Sequence, residues 1–106
     1  MLSVYPAIIH EESGYWVEFP DLEGCQTCGA TLEETMALAQ EALGLYLVSL
    51  AENNQPIPRP SSLASVTAED GQKTYVVTDM NAYRRDRQMN VSRNRQEVNA
   101  AAFPSP

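Results

Sequence analysis

Residues 18–35, EFPDLEGCQTCGATLEET, decide how this chain folds, because a strand, a corner and the start of a helix follow one another within them. Pro20 and Gly24 interrupt the extended segment. Thr31 and Glu34 then form the T-x-x-E pattern of a capping box, in which each side chain bonds the backbone amide of the other residue. The stretch also holds carboxylates and thiols, so it is either a catalytic or metal site or only a structural junction.

A long amphipathic helix is predicted from Thr31 to about Asn53–Asn54. Its apolar residues recur at spacings of three and four, which places them on one face. They are Leu32, Met36, Ala39, Leu43, Leu47 and Leu50. The next segment, QPIPRPSS at 55–62, holds three prolines, which exclude both a helix and a central strand.

Strands are predicted on both sides of this helix. The segments rich in β-branched and aromatic residues are LSVYPAIIH at 2–10, YWVEF at 15–19, CQTC at 25–28 and TYVV at 74–77. Pro6 should place the early part of the first strand at an edge or a bulge. In the second strand, Tyr15, Val17 and Phe19 share one face, while Trp16 and Glu18 share the other. The predicted fold class is α+β, with a small antiparallel sheet of three to four strands and one long helix packed on one face.

Charge divides the chain into two unequal parts. The formal net charge is −7, but in residues 1–80 two bases against twelve acids leave −10, and in residues 81–106 five arginines against two acids leave +3. An acidic body should repel nucleic acid and attract a basic partner. The basic end could do the reverse and contact phosphates non-specifically. Its arginines are Arg84, Arg85, Arg87, Arg93 and Arg95.

The residues of the corner, within 18–35, do not form a pattern typical of a metal or catalytic site. Structural zinc needs four ligands, yet Cys25 and Cys28 have only His10 as a possible histidine partner. On an extended segment their spacing also points the two thiols to opposite faces, so we expect one cysteine packed against the helix and the other half-exposed. Asp21 and Glu23 favour a solvated acidic corner, since nothing in the pattern makes several oxygen ligands converge. We therefore expect no catalytic residue, no metal and no cofactor.

The segment YWVEFPDLEGCQTCGATLEETMALAQEALGLYL, residues 15–47, resembles the HicB-type antitoxins of type II toxin–antitoxin systems. The shared features are a small pair of strands, an FPDLxGC-like corner and a long capped helix. The resemblance continues through PIPRPS and YVVTDMNAYRR and covers residues 4 to about 85. It implies a partial ribonuclease H fold that lacks the catalytic carboxylates. It also implies a cytoplasmic protein that covers the active-site surface of HicA, a small basic ribonuclease that cleaves mRNA.

On that resemblance, the expected toxin-binding surface carries Trp16, Glu18, Asp21 and Glu23. For Trp16, a place in the core or in a dimer interface is about equally expected, because aromatic residues fill both. A half-covered sheet of this size also leaves an apolar face or a strand edge to protect, so a homo-oligomer is expected. The sequence has no apolar run long enough for a transmembrane helix and no visible secretory signal, so no membrane association is expected.

The chain departs from the HicB pattern at its C-terminus. Family members usually end in a helix-turn-helix or ribbon-helix-helix domain that binds DNA, but only fourteen residues follow Ser92 here, with few apolar side chains among them. We therefore expect a HicB-like domain at 1–80 and a short helix with a partly disordered, degenerate DNA-binding region at 81–106. A transcriptional autorepressor acting through that basic end is the alternative function, and a metal-dependent nuclease is a remote third.

Overall fold

The computed structural model describes residues 2–83, and the five arginines of the basic end lie outside that range. Within this range, four strands and one long helix follow each other as β1 (Leu2–Glu11), β2 (Tyr15–Glu18), β3 (Gln26–Gly29), α1 (Leu32–Glu52) and β4 (Gln72–Asp79). A single turn of 3-10 helix at Leu63–Ser65 precedes β4, and residues 80–83 are helical.

The strands form one sheet in the order β3-β2-β1-β4, and each neighbouring pair is antiparallel. This confirms the predicted α+β class and the packing of one helix on one face. β1 pairs with β4 from Leu2 to Ile9 but with β2 only from Ile8 onward. Pro6 therefore lies where β1 has a single neighbour, as its missing amide donor predicts. The ribonuclease H-like relationship stays a prediction.

The capping box starts α1 as the sequence predicts. The Glu34 amide donates to Thr31 Oγ1 at 3.1 Å, and the Ala30 amide donates to the Glu34 carboxylate at 3.1 Å. The reciprocal bond reaches the amide of Ala30, one residue before the cap, because the glutamate side chain turns back along the incoming chain. At its other end the helix stops at Glu52, with Asn53 as C-cap.

The hydrophobic core lies between α1 and the face of the sheet that we call the helix face. Tyr5, Ala7, Val17 and Val76 project from the sheet, and the buried stripe of α1 packs on them. That stripe contributes Ala39, Leu43 and Leu47, which are fully buried. Burial of a leucine side chain such as Leu43 or Leu47 stabilises the fold by roughly 1.5–3 kcal/mol.

The loop between β2 and β3 is a compact structural turn. Phe19 and Cys25 face each other across it, with the Phe19 amide donating to the Cys25 carbonyl at 3.1 Å. Leu22 fills its interior at 1% exposure, and its amide and carbonyl bond Phe19 and Cys25. Gly24 takes a φ of +80°, a left-handed value that favours glycine. These bonds make the corner a junction between strand and helix.

Residues 55–66, which we call the strap, carry the chain from the end of α1 to the opposite face of the sheet. Tyr5, a core residue, donates its hydroxyl hydrogen to the Pro58 carbonyl. Farther along, the Leu63 amide donates to the Tyr75 hydroxyl at 3.0 Å, and Lys73 Nζ donates to two strap carbonyls at 3.0 Å. Lys73 and Tyr75 alternate with the core residue Val76, so their side chains project from the opposite face of β4. The strap therefore ends on the face of the sheet that α1 does not cover, which we call the open face.

Candidate protein-interaction surface

The open face brings together two of the four residues predicted to bind a partner, Trp16 and Glu18. Register places Trp16 opposite His10 and Glu18 opposite Ile8 on β1. The His10 ring stacks on the indole of Trp16 with centroids 4.0 Å apart and an interplanar angle of 14°. His10 Nε2 also lies 2.7 Å from Glu18 Oε2, within hydrogen-bonding distance. The three side chains therefore form one connected group on the surface of the sheet.

Asp21 and Glu23 contact other residues than that group, and each has a different partner. Both oxygens of the Asp21 carboxylate are engaged by Ser61, whose amide and hydroxyl donate to them at 2.7 Å each. This bidentate contact fixes the strap to the corner. Glu23 has an exposed side chain, while its backbone carbonyl accepts a bond from Tyr46 at 2.9 Å.

Two buried groups near the corner have shifted acidities. Burial raises the pKa of the Tyr5 hydroxyl, and the negative charge of Asp21 raises it further. Burial also raises the pKa of the Cys25 thiol to about 11. Both shifts favour the neutral form, so neither group is activated for nucleophilic chemistry at neutral pH.

The cysteines behave as the sequence predicts. Cys25 is buried and its thiol points to the Ala42 carbonyl on α1 at 3.9 Å, whereas Cys28 is exposed. Both are free thiols. Among residues 2–83, no three histidine, cysteine or carboxylate side chains gather closely enough to hold a metal ion. Neither α1 nor another helix in that part of the chain combines the length and apolarity of a membrane span.

A row of exposed apolar side chains lies on the open face, along β1 and β4. Val4 pairs with Val77 across the two strands, at 39% and 40% exposure, and Leu2 and Tyr75 extend the row. We call Leu2, Val4, Tyr75 and Val77 the apolar row. Residue periodicity did not indicate the apolar row. The alternation of its residues along two strands indicates that they share a face of each strand. The register that brings the two strands together cannot be predicted from alternation alone.

Negative charge dominates the described part of the molecule. Residues 2–83 contain twelve carboxylates against two bases, Arg59 and Lys73. The ammonium group of Lys73 donates to the Leu63 and Val66 carbonyls and is partly buried, so it is poorly placed to offset the surface charge. The surface is therefore strongly anionic, as its composition predicts.

Comparison with known proteins identifies the family. The family model described as "HicB_like antitoxin of bacterial toxin-antitoxin system" matches residues 5–100. Antitoxin HicB 2 of Photorhabdus laumondii is 38% identical over 60 residues, which cover 57% of this chain and 43% of that protein. The chain spans about half the length of the first curated relatives it matches, with 57% and 43% of their lengths covered.

Solved structures agree with this assignment. A chain of a toxin–antitoxin complex from Streptococcus pneumoniae superposes with a TM-score of 0.71 at 27% identity, covering 78% of this chain and 73% of that one. A chain of a HicA3 and HicB3 toxin–antitoxin complex has the same fold, with a TM-score of 0.57 at 22% identity over 73% of this chain and 96% of that one. The sheet order, the capped helix and the match over residues 5–100 together show that this chain belongs to the HicB-like antitoxin family of bacterial toxin–antitoxin systems.

Proposed function

We propose that the chain is an antitoxin that binds a small, basic, HicA-type mRNA-cleaving ribonuclease and covers its active-site surface. In this proposal the chain catalyses no reaction. It acts by covering the surface of the ribonuclease that would otherwise bind RNA phosphates. Membership of the HicB-like family supports the antitoxin role, and its structural relatives include a HicA3 and HicB3 complex.

The single observation that carries this proposal is the charge of the described residues, twelve carboxylates against two bases. An anionic surface steers a cationic partner toward it and accelerates association. Complementary charge also makes the encounter sensitive to ionic strength, since salt screens exposed charges over about 10 Å at 0.1 M.

The proposed contact surface is the group of His10, Trp16 and Glu18 on the open face, with Glu23 at the neighbouring corner. Trp16 offers the large, half-buried aromatic surface that is enriched at the centres of protein interfaces. Asp21 belongs to the same predicted surface. We assign it a structural role, because its hydrogen bond to Ser61 holds the strap beside the contact residues.

The test is inhibition of a HicA-type toxin by this chain. The two proteins would be co-expressed and co-purified, and mRNA cleavage by the toxin would be measured as the antitoxin is added. We expect cleavage to cease near one equivalent, and the dissociation constant to rise steadily with NaCl concentration. Undiminished cleavage at molar excess of this chain would refute the proposal.

We also propose that the protein forms a homo-oligomer through the apolar row and the outer edge of β4. β4 lies at the end of the sheet, where Gln40 Nε2 of α1 donates to the Val77 carbonyl at 2.8 Å, and an edge strand with apolar neighbours favours association with another surface. The DNA-binding alternative rests on the five arginines beyond residue 83, outside the described residues, and stays a prediction, as does the cytoplasmic location.

A further inference from the structure

A recess of about 630 Å³ opens at the end of the sheet where β1 turns into β2. Its lining joins the end of β1, the start of β2, the first residue of α1 and the turn before β4. The register explains this meeting, because Glu11 pairs with Tyr15 on one side of β1 and Ile9 pairs with Gln72 on the other. The volume lies within the range of about 300–1,000 Å³ that binding pockets commonly have.

The lining includes carboxylate, aromatic and apolar residues, together with His10 and Gln72. Carboxylates come from Glu11, Glu12 and Asp70, and within residues 2–83 no lysine or arginine accompanies them. Trp16 and Tyr15 are the aromatic residues of the lining, and they lie on opposite faces of β2 at the end of the sheet. Leu32 adds apolar surface and remains 40% exposed, although the helical pattern assigns it to the buried stripe. The recess therefore leaves uncovered the apolar residue that begins α1.

This combination matches the chemistry of an arginine side chain. A guanidinium forms strong, directional bonds with carboxylates and stacks on aromatic rings, and it is more weakly hydrated than an ammonium. The aliphatic part of the same side chain packs on apolar surface while its charged end remains near solvent. Trp is also the aromatic residue that attracts a cation most strongly.

We propose that this recess receives an arginine side chain of the basic partner and so fixes the position of that partner on the antitoxin. The inference rests on the proposed function for the partner's identity, and charge complementarity selects the occupant. It adds a defined anchoring point to what would otherwise be diffuse attraction between opposite charges. The stack of Trp16 on His10 holds the aromatic wall in place before the partner arrives.

The experiment uses the full chain and a probe without aromatic residues, an acetylated hexa-arginine amide. Trp16 is the only tryptophan of the chain, so its fluorescence reports directly on this recess. We expect a saturable, salt-sensitive change in Trp16 emission, with hexa-lysine binding more weakly. In a Glu11→Gln, Glu12→Gln variant the hexa-arginine affinity should fall about tenfold, because two partly exposed ion pairs are lost.

The matched control is Glu33→Gln, Glu41→Gln, which removes the same charge from exposed positions of α1 outside the recess. The control should bind like the unmodified chain. An equal loss in both variants would overturn the proposal, since bulk charge would then explain the binding. No saturable change in the unmodified chain, or equally tight hexa-lysine binding, would also overturn it. If the peptide binds as expected but the toxin remains active, the proposed antitoxin function is refuted, whereas arginine binding by the recess is retained.

Discussion

His10 and Trp16 stack directly across the β1–β2 ladder, with ring centroids 4.0 Å apart and planes inclined by 14°. Glu18 lies 2.7 Å from the far nitrogen of the same imidazole. A single histidine is thus held between an indole and a carboxylate. Such a contact between rings is worth about 0.5–1.5 kcal/mol beyond the area it buries. It fixes the indole in one orientation on the open face.

Replacing His10 should therefore weaken partner binding through Trp16. We expect His10→Ala to raise the dissociation constant for the proposed HicA-type partner about three- to tenfold, because the indole loses its support and must be ordered on binding. Calorimetric titration measures the affinity, and Trp16 emission measures the change around the indole. The control His10→Phe keeps a stacked ring without the bond to Glu18. Unaltered affinity in His10→Ala would contradict a positioning role.

The strap should depend on the bond between Asp21 and Ser61. Asp21→Asn or Ser61→Ala should lower the free energy of unfolding by about 1–2 kcal/mol, because a charge-assisted, partly buried hydrogen bond is lost. Urea denaturation measures each variant, and the double variant should lose less than the sum. Glu23→Gln, at an exposed neighbour, should remain within about 0.5 kcal/mol of the unmodified chain. Strict additivity would show that the two residues act independently.

Stability should fall in alkaline solution because of Cys25. Its pKa is raised to about 11 in the folded chain, so the unfolded chain loses the thiol proton first, near pH 9. The free energy of unfolding should therefore decline by roughly 1–2 kcal/mol as pH rises from about 9 to about 11. Cys25→Ala should reduce this decline, and Cys28→Ala, at an exposed thiol, should leave it unchanged. Tyr5, whose pKa is also raised, should add to the decline at higher pH.

Gly44 should tolerate no side chain. A Cβ there would collide with the ring of Tyr83 and lie 2.8 Å from Thr78 Oγ1. We expect Gly44→Ala to destabilise the fold by about 1–3 kcal/mol, although alanine is the better helix former. The same substitution in a Tyr83→Ala background should cost less, as thermal unfolding would show. An equal cost in both backgrounds would rule out the contact between Gly44 and Tyr83 as the cause.

The proposed homo-oligomer should dissociate when a charge is introduced into the apolar row. Val77→Lys places an ammonium on the open face of the edge strand, where we expect it to shift the mass measured by light scattering toward the monomer. Gln26→Lys adds the same charge at an exposed position of β3, at the other edge of the sheet, and should leave the mass unchanged. A monomeric unmodified chain would refute the proposed oligomer.

Local chemistry explains which parts of the fold were predictable. Thr31 and Glu34 determine the start of α1 between themselves, and the alternation of Val17 with Trp16 determines which side of β2 is buried. β4 is longer than the predicted TYVV, because pairing with β1 extends it to Gln72 and Asp79. Such pairing depends on residues far apart in the chain, which periodicity alone does not reveal.

The candidate surface was predictable only in part, for the same reason. Trp16 and Glu18 share a face by simple alternation, and the sequence placed them together. The position of His10 between them depends on the register of β1 with β2. Asp21 looked like a solvated acid because Ser61, its partner, lies forty positions away. The recess combines residues from four segments, so no local pattern indicated it.

The pairing of β1 with β4 has a consequence during synthesis. Leu2 finds its partner at Asp79, so a ribosome must release almost the whole described domain before the sheet can close. Until then β1 has a free side, and the strap has neither Tyr75 nor Lys73 to hold it. Nascent or interrupted chains would expose apolar strands to proteases, and the supply of folded protein would follow completed translation closely.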